Sequence, residues 1–275
     1  MRQSEEVIST LKHPAVLRAR EALGQVGRAG ATAYIADGRR LVSQAVDASA
    51  PVEGLCFLHP IEEEADAALR ANAGRAGLPC HLVTRGVFFR ILGLGYETSV
   101  GVLAVIRRPA HVRPPVEVSD GQCLLVGEQI QDPRNVGVLV RTADAWGLAG
   151  VVFTDDSADP YSRGAVRSST GSIFRLPPAG VADLPGYLRR LSAAGVRAIG
   201  TSVRATTPCW SADLRGACAL VLGNETEGIS QEVREACDVM VRIPMPGSAH
   251  SFNVTVAAGI LLYERERQGR GPQAG

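Results

Sequence analysis

Regular alternation of strand-like and helix-like segments in the second half of the chain restricts its fold more than any other feature. Short apolar runs, namely CLLVG, VVFT, RAIGTS, ALVLG and VMVRI, are separated by stretches with helical periodicity, the first of which begins at Asn135 and the last at Ser251. Alternating strands and helices form a parallel sheet, because each helix carries the chain back across one face. The sequence therefore predicts an α/β fold, a parallel sheet with helices on both faces.

A smaller α/β unit precedes this pattern. Its predicted helices cover residues 15–25, 38–47, 61–76 and 85–91, and its predicted strands cover 31–36, 53–57, 79–83 and 100–106. The segment 107–119, RRPAHVRPPVEVS, has three prolines within seven residues and no hydrophobic period, which is typical of a linker. The sequence thus predicts two domains, residues 1–112 and 118–270.

The composition is that of a soluble globular protein. The chain has 275 residues, of which 45% are hydrophobic, and a mean hydropathy of +0.06. The longest apolar runs, such as VGVLAVI, are strand-sized and much shorter than a membrane span. The first ten residues, MRQSEEVIST, carry acids where a signal peptide needs an apolar core. We therefore expect a cytoplasmic protein.

Charge and metal-ligand residues exclude some functions. A formal net charge of +1 is too low for a protein that binds nucleic acid through phosphates alone. Residues 1–115 hold 14 basic and 11 acidic side chains, so the first part is slightly basic. Six cysteines at irregular spacing and five histidines without ligand spacing predict reduced thiols and no metal.

The segment DPRNVGVLVRTADAWG contains two polar residues that stand out from a helical pattern. Asn135 precedes the apolar positions Val136, Leu139, Val140 and Ala143, so it sits where a helix N-cap belongs. Arg141 lies about 140° round the helix from Val136, so packing does not require it. Its plainer interpretation is a surface residue paired with Asp144 at i+3. Asn135 and Arg141 therefore each have a structural and a functional interpretation.

Two further segments place polar residues where strands end and helices begin. In LVLGNETEGIS a strand ends at Gly223, whose missing side chain would let a ligand approach the backbone. Glu225 follows, and it could be merely a helix-start acid. In IPMPGSAHSFNVTVAAGILLYE, Ser251 and Asn253 open the final helix, where either could be a cap. All three segments therefore lie at strand-to-helix junctions or helix starts.

In order and spacing, these three segments resemble the motifs of the SpoU (TrmH-type) branch of the knotted SPOUT RNA methyltransferases, over roughly the last 150 residues. The resemblance implies a C-terminal trefoil knot, S-adenosylmethionine as cofactor, a homodimer, and methyl transfer to a ribose 2'-hydroxyl of RNA. It also implies an active site that borrows its arginine across the dimer interface.

The resemblance assigns roles residue by residue. It makes Arg141 the catalytic arginine, near the ribose 2'-hydroxyl and its neighbouring phosphate. The other implied catalytic residues are Asn135, Glu225, Ser251 and Asn253. Those implied in cofactor binding are Thr201, Leu222, Gly223, Ile243, Met245, Gly247 and Phe252. Those expected to bind RNA are Arg163, Arg167 and Arg39. A guanidinium stays protonated, so we expect Arg141 to act as a cation rather than as a base.

The first domain resembles the small RNA-binding domain, akin to a ribosomal protein, that precedes the catalytic domain in many SpoU enzymes. The segment ADGRRLVSQAV carries this likeness. It favours ribosomal RNA as the substrate. A transfer RNA 2'-O-methyltransferase, or a non-catalytic RNA-binding or assembly factor on the same fold, are the alternatives.

Overall fold

The computed structural model describes residues 6–25, 30–93, 100–110, 112, 114–115 and 117–270, so positions 111, 113 and 116 of the predicted linker lie outside the described residues. In the first part of the chain the elements are β1 (Val7–Ile8), α1 (Pro14–Gly24), β2 (Ala33–Asp37), α2 (Arg39–Asp47), β3 (Val52–His59), α3 (Glu64–Arg75), β4 (Cys80–Thr84), α4 (Arg85–Leu92) and β5 (Val102–Arg107).

The second part of the chain alternates strands and helices. Its elements are β6 (Cys123–Gly127), α5 (Pro133–Ala145), β7 (Gly150–Thr154), α6 (Arg163–Ser168), α7 (Ser172–Arg175), β8 (Ala179–Val181), α8 (Leu184–Ala193), β9 (Arg197–Thr201), β10 (Thr207–Pro208), β11 (Cys218–Leu222), α9 (Gln231–Glu235), β12 (Val239–Arg242) and α10 (Val254–Arg270).

The first sheet is mixed, with the strand order β1-β4-β3-β5-β2. Strands β1, β4 and β3 run parallel, whereas β5 is antiparallel to both β3 and β2. The apolar side chains of β2, β5, α1 and α4 form its main core, which includes Phe88 and Leu103. Every strand predicted in this region is present, with ends shifted by a few residues.

The second sheet is parallel at every pairing described, with the order β10-β12-β9-β11-β6-β7-β8. On one face, Leu124 and Val126 of β6 share a core with Leu188 of α8 and Val233 of α9. Residues of the other parity, such as the buried Leu125, point to the opposite face, where α5 and α10 pack together. The predicted α/β class and parallel sheet are confirmed, and the trefoil knot stays a prediction.

The final helix begins later than predicted. It was expected from Ser251, but α10 begins at Val254. The Asn253 side chain caps it by accepting a hydrogen bond from Thr255 N at 2.9 Å. An asparagine oxygen competes with the helix for backbone N–H groups, so the helix starts just after it.

The chain divides into two compact units that are not continuous in sequence. Residues 1–110 and Tyr161–Phe174 form the first, and His111–Pro160 with Arg175–Gly275 form the second. The predicted bounds place Tyr161–Phe174 in the second domain, because this segment lies between two of that domain's motifs. In the first unit, Tyr161 packs against Tyr34 with ring centroids 4.9 Å apart. The domain bounds 1–112 and 118–270 stay a prediction.

Candidate functional site

A cavity of about 450 Å³ lies where β9, β11 and β12 end. In open parallel sheets, ligands bind at the carboxyl ends of the strands. A volume in this range suits a small molecule or a cofactor. Six of the seven residues predicted to bind the cofactor line this cavity, namely Thr201, Leu222, Gly223, Ile243, Met245 and Phe252. The seventh, Gly247, is not among the lining residues. This cavity is therefore the candidate cofactor site.

Three polar side chains join the three sequence motifs beside this cavity. Asn135 Nδ2 donates to Glu225 Oε1 at 2.8 Å, and Asn253 Nδ2 donates to Asn135 Oδ1 at 3.2 Å. These residues are 90 and 118 positions apart along the chain. The Asn135–Glu225–Asn253 network thus fixes the relative positions of α5, the loop after β11 and the start of α10.

Glu225 is the acceptor at the end of this network. Its carboxylate also accepts from the backbone N–H groups of Gln131 at 3.2 Å and Asp132 at 3.3 Å. Burial raises the pKa of Glu225, but the hydrogen bonds from Asn135 and from the backbone outweigh it, so the pKa is lowered overall. The group is therefore held as a carboxylate whose acceptor capacity is largely used. That arrangement suits positioning rather than proton uptake.

The interpretation of Asn135 as a helix cap is wrong. Asp132 is the N-cap of α5, because its side chain accepts from Arg134 N and Pro133 occupies the first helical position. Asn135 lies inside the first turn, with its amide free to reach Glu225. Capping therefore does not explain this asparagine.

Asn253 caps α10, as one of its two interpretations predicted, and it also contacts Asn135. Its Oδ1 caps α10 through Thr255 N and also accepts from Thr255 Oγ1 at 2.7 Å. Its Nδ2 remains available to donate to Asn135. Ser251, two residues earlier, is exposed and lines the cavity. The cap thus orients the amide that completes the network.

Arg141 is exposed on α5, about 9 Å along the helix axis from Asn135. Its expected partner Asp144 binds the Nε of Arg175 at 3.2 Å instead, so the interpretation of Arg141 as that residue's ion-pair partner is wrong. The Arg141 side chain has no hydrogen bond or ion pair among the described residues. It is a cation available for a ligand, and it lies outside the Asn135–Glu225–Asn253 network.

The position of Gly223 requires a glycine for a reason that the sequence did not reveal, and its role in cofactor binding stays a prediction. A Cβ atom at this position would collide with the backbone of Gly228 and Ile229. The loop after β11 folds back here, with an isolated bridge between Asn224 and Gly228. The missing side chain therefore admits the chain's own backbone.

The arginines expected to bind RNA have different surroundings within the first unit. Arg163 donates to both oxygens of Asp37, at 3.1 and 2.7 Å, and that carboxylate is fully buried. Arg39 donates to Asp66 at 2.6 Å and also pairs with Glu63. Arg167 lies 3.6 Å from Asp37 and is the most exposed of the three, with 55% of its side chain accessible. Arg163 and Arg39 thus have structural partners, and RNA binding by all three stays a prediction.

Sequence analysis missed Asn224, which shapes the loop that carries Glu225. Its Nδ2 donates to Gln129 O at 2.9 Å, and its Oδ1 accepts from Thr226 N and Glu227 N. An asparagine that binds backbone two and three residues ahead is a recognised turn signal, so the NETEG segment could have revealed it. Arg234, which lines the cavity, was also missed.

Among the described residues, no three His, Cys, Asp or Glu side chains are grouped as metal ligands. Nor does that part of the chain contain a helix long and apolar enough to cross a membrane. All six cysteines are free thiols.

A parallel sheet with a cofactor-sized cavity at its carboxyl edge, beside which a polar network joins three separate motifs, is an arrangement typical of α/β enzymes that bind a small cofactor. The family model described as the SpoU rRNA Methylase family matches residues 122–263. The chain belongs to the SpoU rRNA methylase family.

Two curated relatives and one solved structure are similar over most of their length. The 23S rRNA (guanosine-2'-O-)-methyltransferase RlmB of Xylella fastidiosa is 42% identical over 204 residues, which are 73% of this chain and 82% of the relative. The 23S rRNA guanosine 2'-O-methyltransferase RlmP of Bacillus subtilis is 33% identical over 187 residues, 68% of this chain and 72% of the relative.

The crystal structure of the SpoU methyltransferase AviRb from Streptomyces viridochromogenes, in complex with the cofactor AdoMet, superposes with a TM-score of 0.80. It is 29% identical, and the match covers 94% of this chain and 99% of that one. The predictions of the family, the fold class, an RNA 2'-O-ribose methyltransferase and S-adenosylmethionine as cofactor are confirmed.

Proposed function

We propose that this enzyme methylates the 2'-hydroxyl of a guanosine ribose in 23S ribosomal RNA, with the Asn135–Glu225–Asn253 network as its active centre. The observation that carries the proposal is this network, which joins all three family motifs beside one cavity. The RlmB and RlmP relatives, named for guanosine ribose methylation in 23S rRNA, support the choice of substrate.

The residues of the cavity fit S-adenosylmethionine. Ile243, Met245 and Phe252 supply apolar surface for an adenine ring, and polar backbone borders them in the loop after β11. Phe252 is 41% exposed although it is a large apolar side chain, so a bound ring would cover it. When bound, this cofactor supplies a sulfonium methyl group, which is a good electrophile.

The polar residues then orient the nucleophile. The network holds Asn135 in one position, with Glu225 as a fixed carboxylate behind it. Arg141 binds the phosphate next to the target ribose through the N–H donors of its planar guanidinium. In this position it orients the hydroxyl and stabilises the developing alkoxide charge. The proton passes to that phosphate or to a water molecule. Holding the hydroxyl close to the bound methyl donor would lower the barrier through proximity.

We also propose a homodimer in which Arg141 serves the partner's cofactor cavity. Val256 and Tyr263 of α10 are seven residues apart, so they share one helix face. They are 47% and 64% exposed although apolar or aromatic, which supports an interface on this face. A cytoplasmic location follows from a ribosomal RNA substrate.

The proposal is tested by mapping ribose methylation on total RNA from cells with and without the gene. We expect one 2'-O-methylguanosine in 23S rRNA to disappear without the gene and to return when purified protein and S-adenosylmethionine are added to the isolated RNA. Loss of a transfer RNA methylation would support the alternative substrate. An unchanged methylation pattern in 23S rRNA would contradict the proposed substrate.

A further inference from the structure

Arg234 lines the candidate cofactor cavity and carries a buried hydrogen-bond donor that has no partner among the described residues. It lies on the short helix α9 and lines the cavity, although no sequence motif pointed to it. Its Nε is buried and has no hydrogen-bond partner among the described residues. Most buried donors in proteins have a hydrogen-bond acceptor. A buried donor without one is therefore unusual, and a ligand that supplies the acceptor would explain it.

Three carboxylates at the cavity or next to α9 accept hydrogen bonds from other groups, and Glu227, which also lines the cavity, has no ion pair with Arg234 among the described residues. Glu225 accepts from Asn135 and from two backbone N–H groups. Glu235, its neighbour in sequence, accepts from Gln231 at 2.7 Å. Glu128 accepts from Ser230 N at 2.8 Å, just before α9 begins. Arg234 has no ion pair among the described residues, so its charge is left for an external acceptor.

An arginine in this state favours an oxyanion. A guanidinium offers a planar set of donors that matches a carboxylate in two parallel hydrogen bonds. A partly buried cation gains more from such a partner than an exposed one does, because water screens the pair less. The ligand group that would pair with Arg234 is therefore a carboxylate or a phosphate.

We propose that Arg234 binds the carboxylate of the cofactor's methionine moiety. This inference rests on the proposed use of the cavity by S-adenosylmethionine. The apolar side chains of Ile243, Met245 and Phe252 line the same cavity and suit the adenine ring, which leaves the cationic Arg234 for the charged amino-acid part. The RNA phosphate is assigned to the exposed Arg141 instead.

Calorimetry with two ligands tests this assignment on the full-length chain. S-adenosylmethionine carries the carboxylate and a sulfonium sulfur, whereas 5'-methylthioadenosine has the same nucleoside with a neutral thioether and no amino-acid part. Arg234→Met keeps a long side chain but removes the charge. We expect this variant to bind S-adenosylmethionine about ten- to a hundredfold more weakly, as for a lost charged hydrogen bond, and to bind methylthioadenosine as the wild type does. Arg234→Lys should restore part of the affinity.

A matched control is Arg189→Met, which removes an exposed arginine from α8 and should change neither affinity. Equal weakening of both ligands by Arg234→Met, or no weakening of either, would overturn the assignment. So would unchanged cofactor binding with weaker RNA binding, because the anion would then be a phosphate. A wild-type chain that binds neither ligand would overturn the proposed cofactor site itself, whereas one that binds both equally would contradict only the role of Arg234.

Discussion

At the scale of single residues, the site depends on Glu225 and its donors. Two backbone N–H groups and the Asn135 amide converge on one carboxylate. From the sequence, Glu225 had two interpretations: an acidic residue at the start of a helix, or a member of the active centre. Helix α9 starts only at Gln231, and Glu225 lies in the preceding loop, so the helix dipole does not explain it. Its contacts instead join two motifs of the chain.

Glu225 should make stability depend on pH in the acid range. Its pKa is below the ordinary value of 4.5 in the folded chain. The carboxylate therefore stabilises the folded state above about pH 4.5, and this contribution disappears as the pH falls through the lower folded pKa. We expect Glu225→Gln to be less stable than the wild type near neutral pH, with a difference that shrinks in acid. Urea unfolding at several pH values measures the free energy of unfolding of both chains.

Glu227→Gln is the control for that series, since Glu227 is exposed in the same loop and its carboxylate has no hydrogen bond among the described residues. This variant should unfold like the wild type at every pH. A stability difference for Glu225→Gln that stays constant from neutral to acid pH would contradict the account of its carboxylate.

At the scale of elements, the junctions after strands hold the site together. Asp132 and Pro133 begin α5, Asn253 begins α10, and Gly223 lets the loop after β11 fold back on itself. Strand and helix positions were largely predictable, because burial on both faces leaves continuous apolar runs in parallel strands. The N-cap of α5 could not be predicted, because Asp132 and Asn135 are both good N-cap residues and only the contacts in the folded chain distinguish them.

Gly223→Ala should be strongly destabilising, because its Cβ would collide with the backbone of Gly228 and Ile229. Backbone gives way less easily than a side chain, so we expect a loss of about 2 to 3 kcal/mol in the free energy of unfolding. Denaturant unfolding measures it. Larger substitutions here would be a poor test of cofactor binding, since they disturb the loop first.

Gly247→Ala is a matched control in the third motif, because a Cβ atom there would have open space around it. Its unfolding free energy should change by less than about 0.5 kcal/mol. Equal effects of the two substitutions would mean that the close approach at Gly223 is not a feature of the protein in solution.

At the scale of the whole molecule, long-range packing was the least predictable feature. Arg163 and Arg167 were expected to face RNA, yet Arg163 binds the buried Asp37, 126 positions away. Nothing in the local sequence of Tyr161–Phe174 reveals that it belongs to the first unit, because its helical spacing is the same in either place. The three motifs were predictable because each carries its own polar residues at a junction.

The exposed face of α10 should hold two copies together. Tyr263→Glu places a charge on this face, so we expect a shift from about twice the chain mass of 29.0 kDa to the single-chain mass. Light scattering on a sizing column measures it. Leu17→Glu on α1, where the leucine is 50% exposed, is the control and should leave the mass unchanged. A wild-type chain that elutes as a monomer would contradict the proposed dimer.

In the proposed mechanism of RNA methyl transfer, Arg141 acts in the transition state. A single-turnover assay with saturating cofactor and RNA tests it most directly. We expect Arg141→Ala to slow methyl transfer by at least about a hundredfold, with little change in cofactor affinity. Arg141→Lys should retain most of the defect, because it restores the charge but not the planar pair of donors. Wild-type rates for Arg141→Ala would show that Arg141 has no part in the reaction.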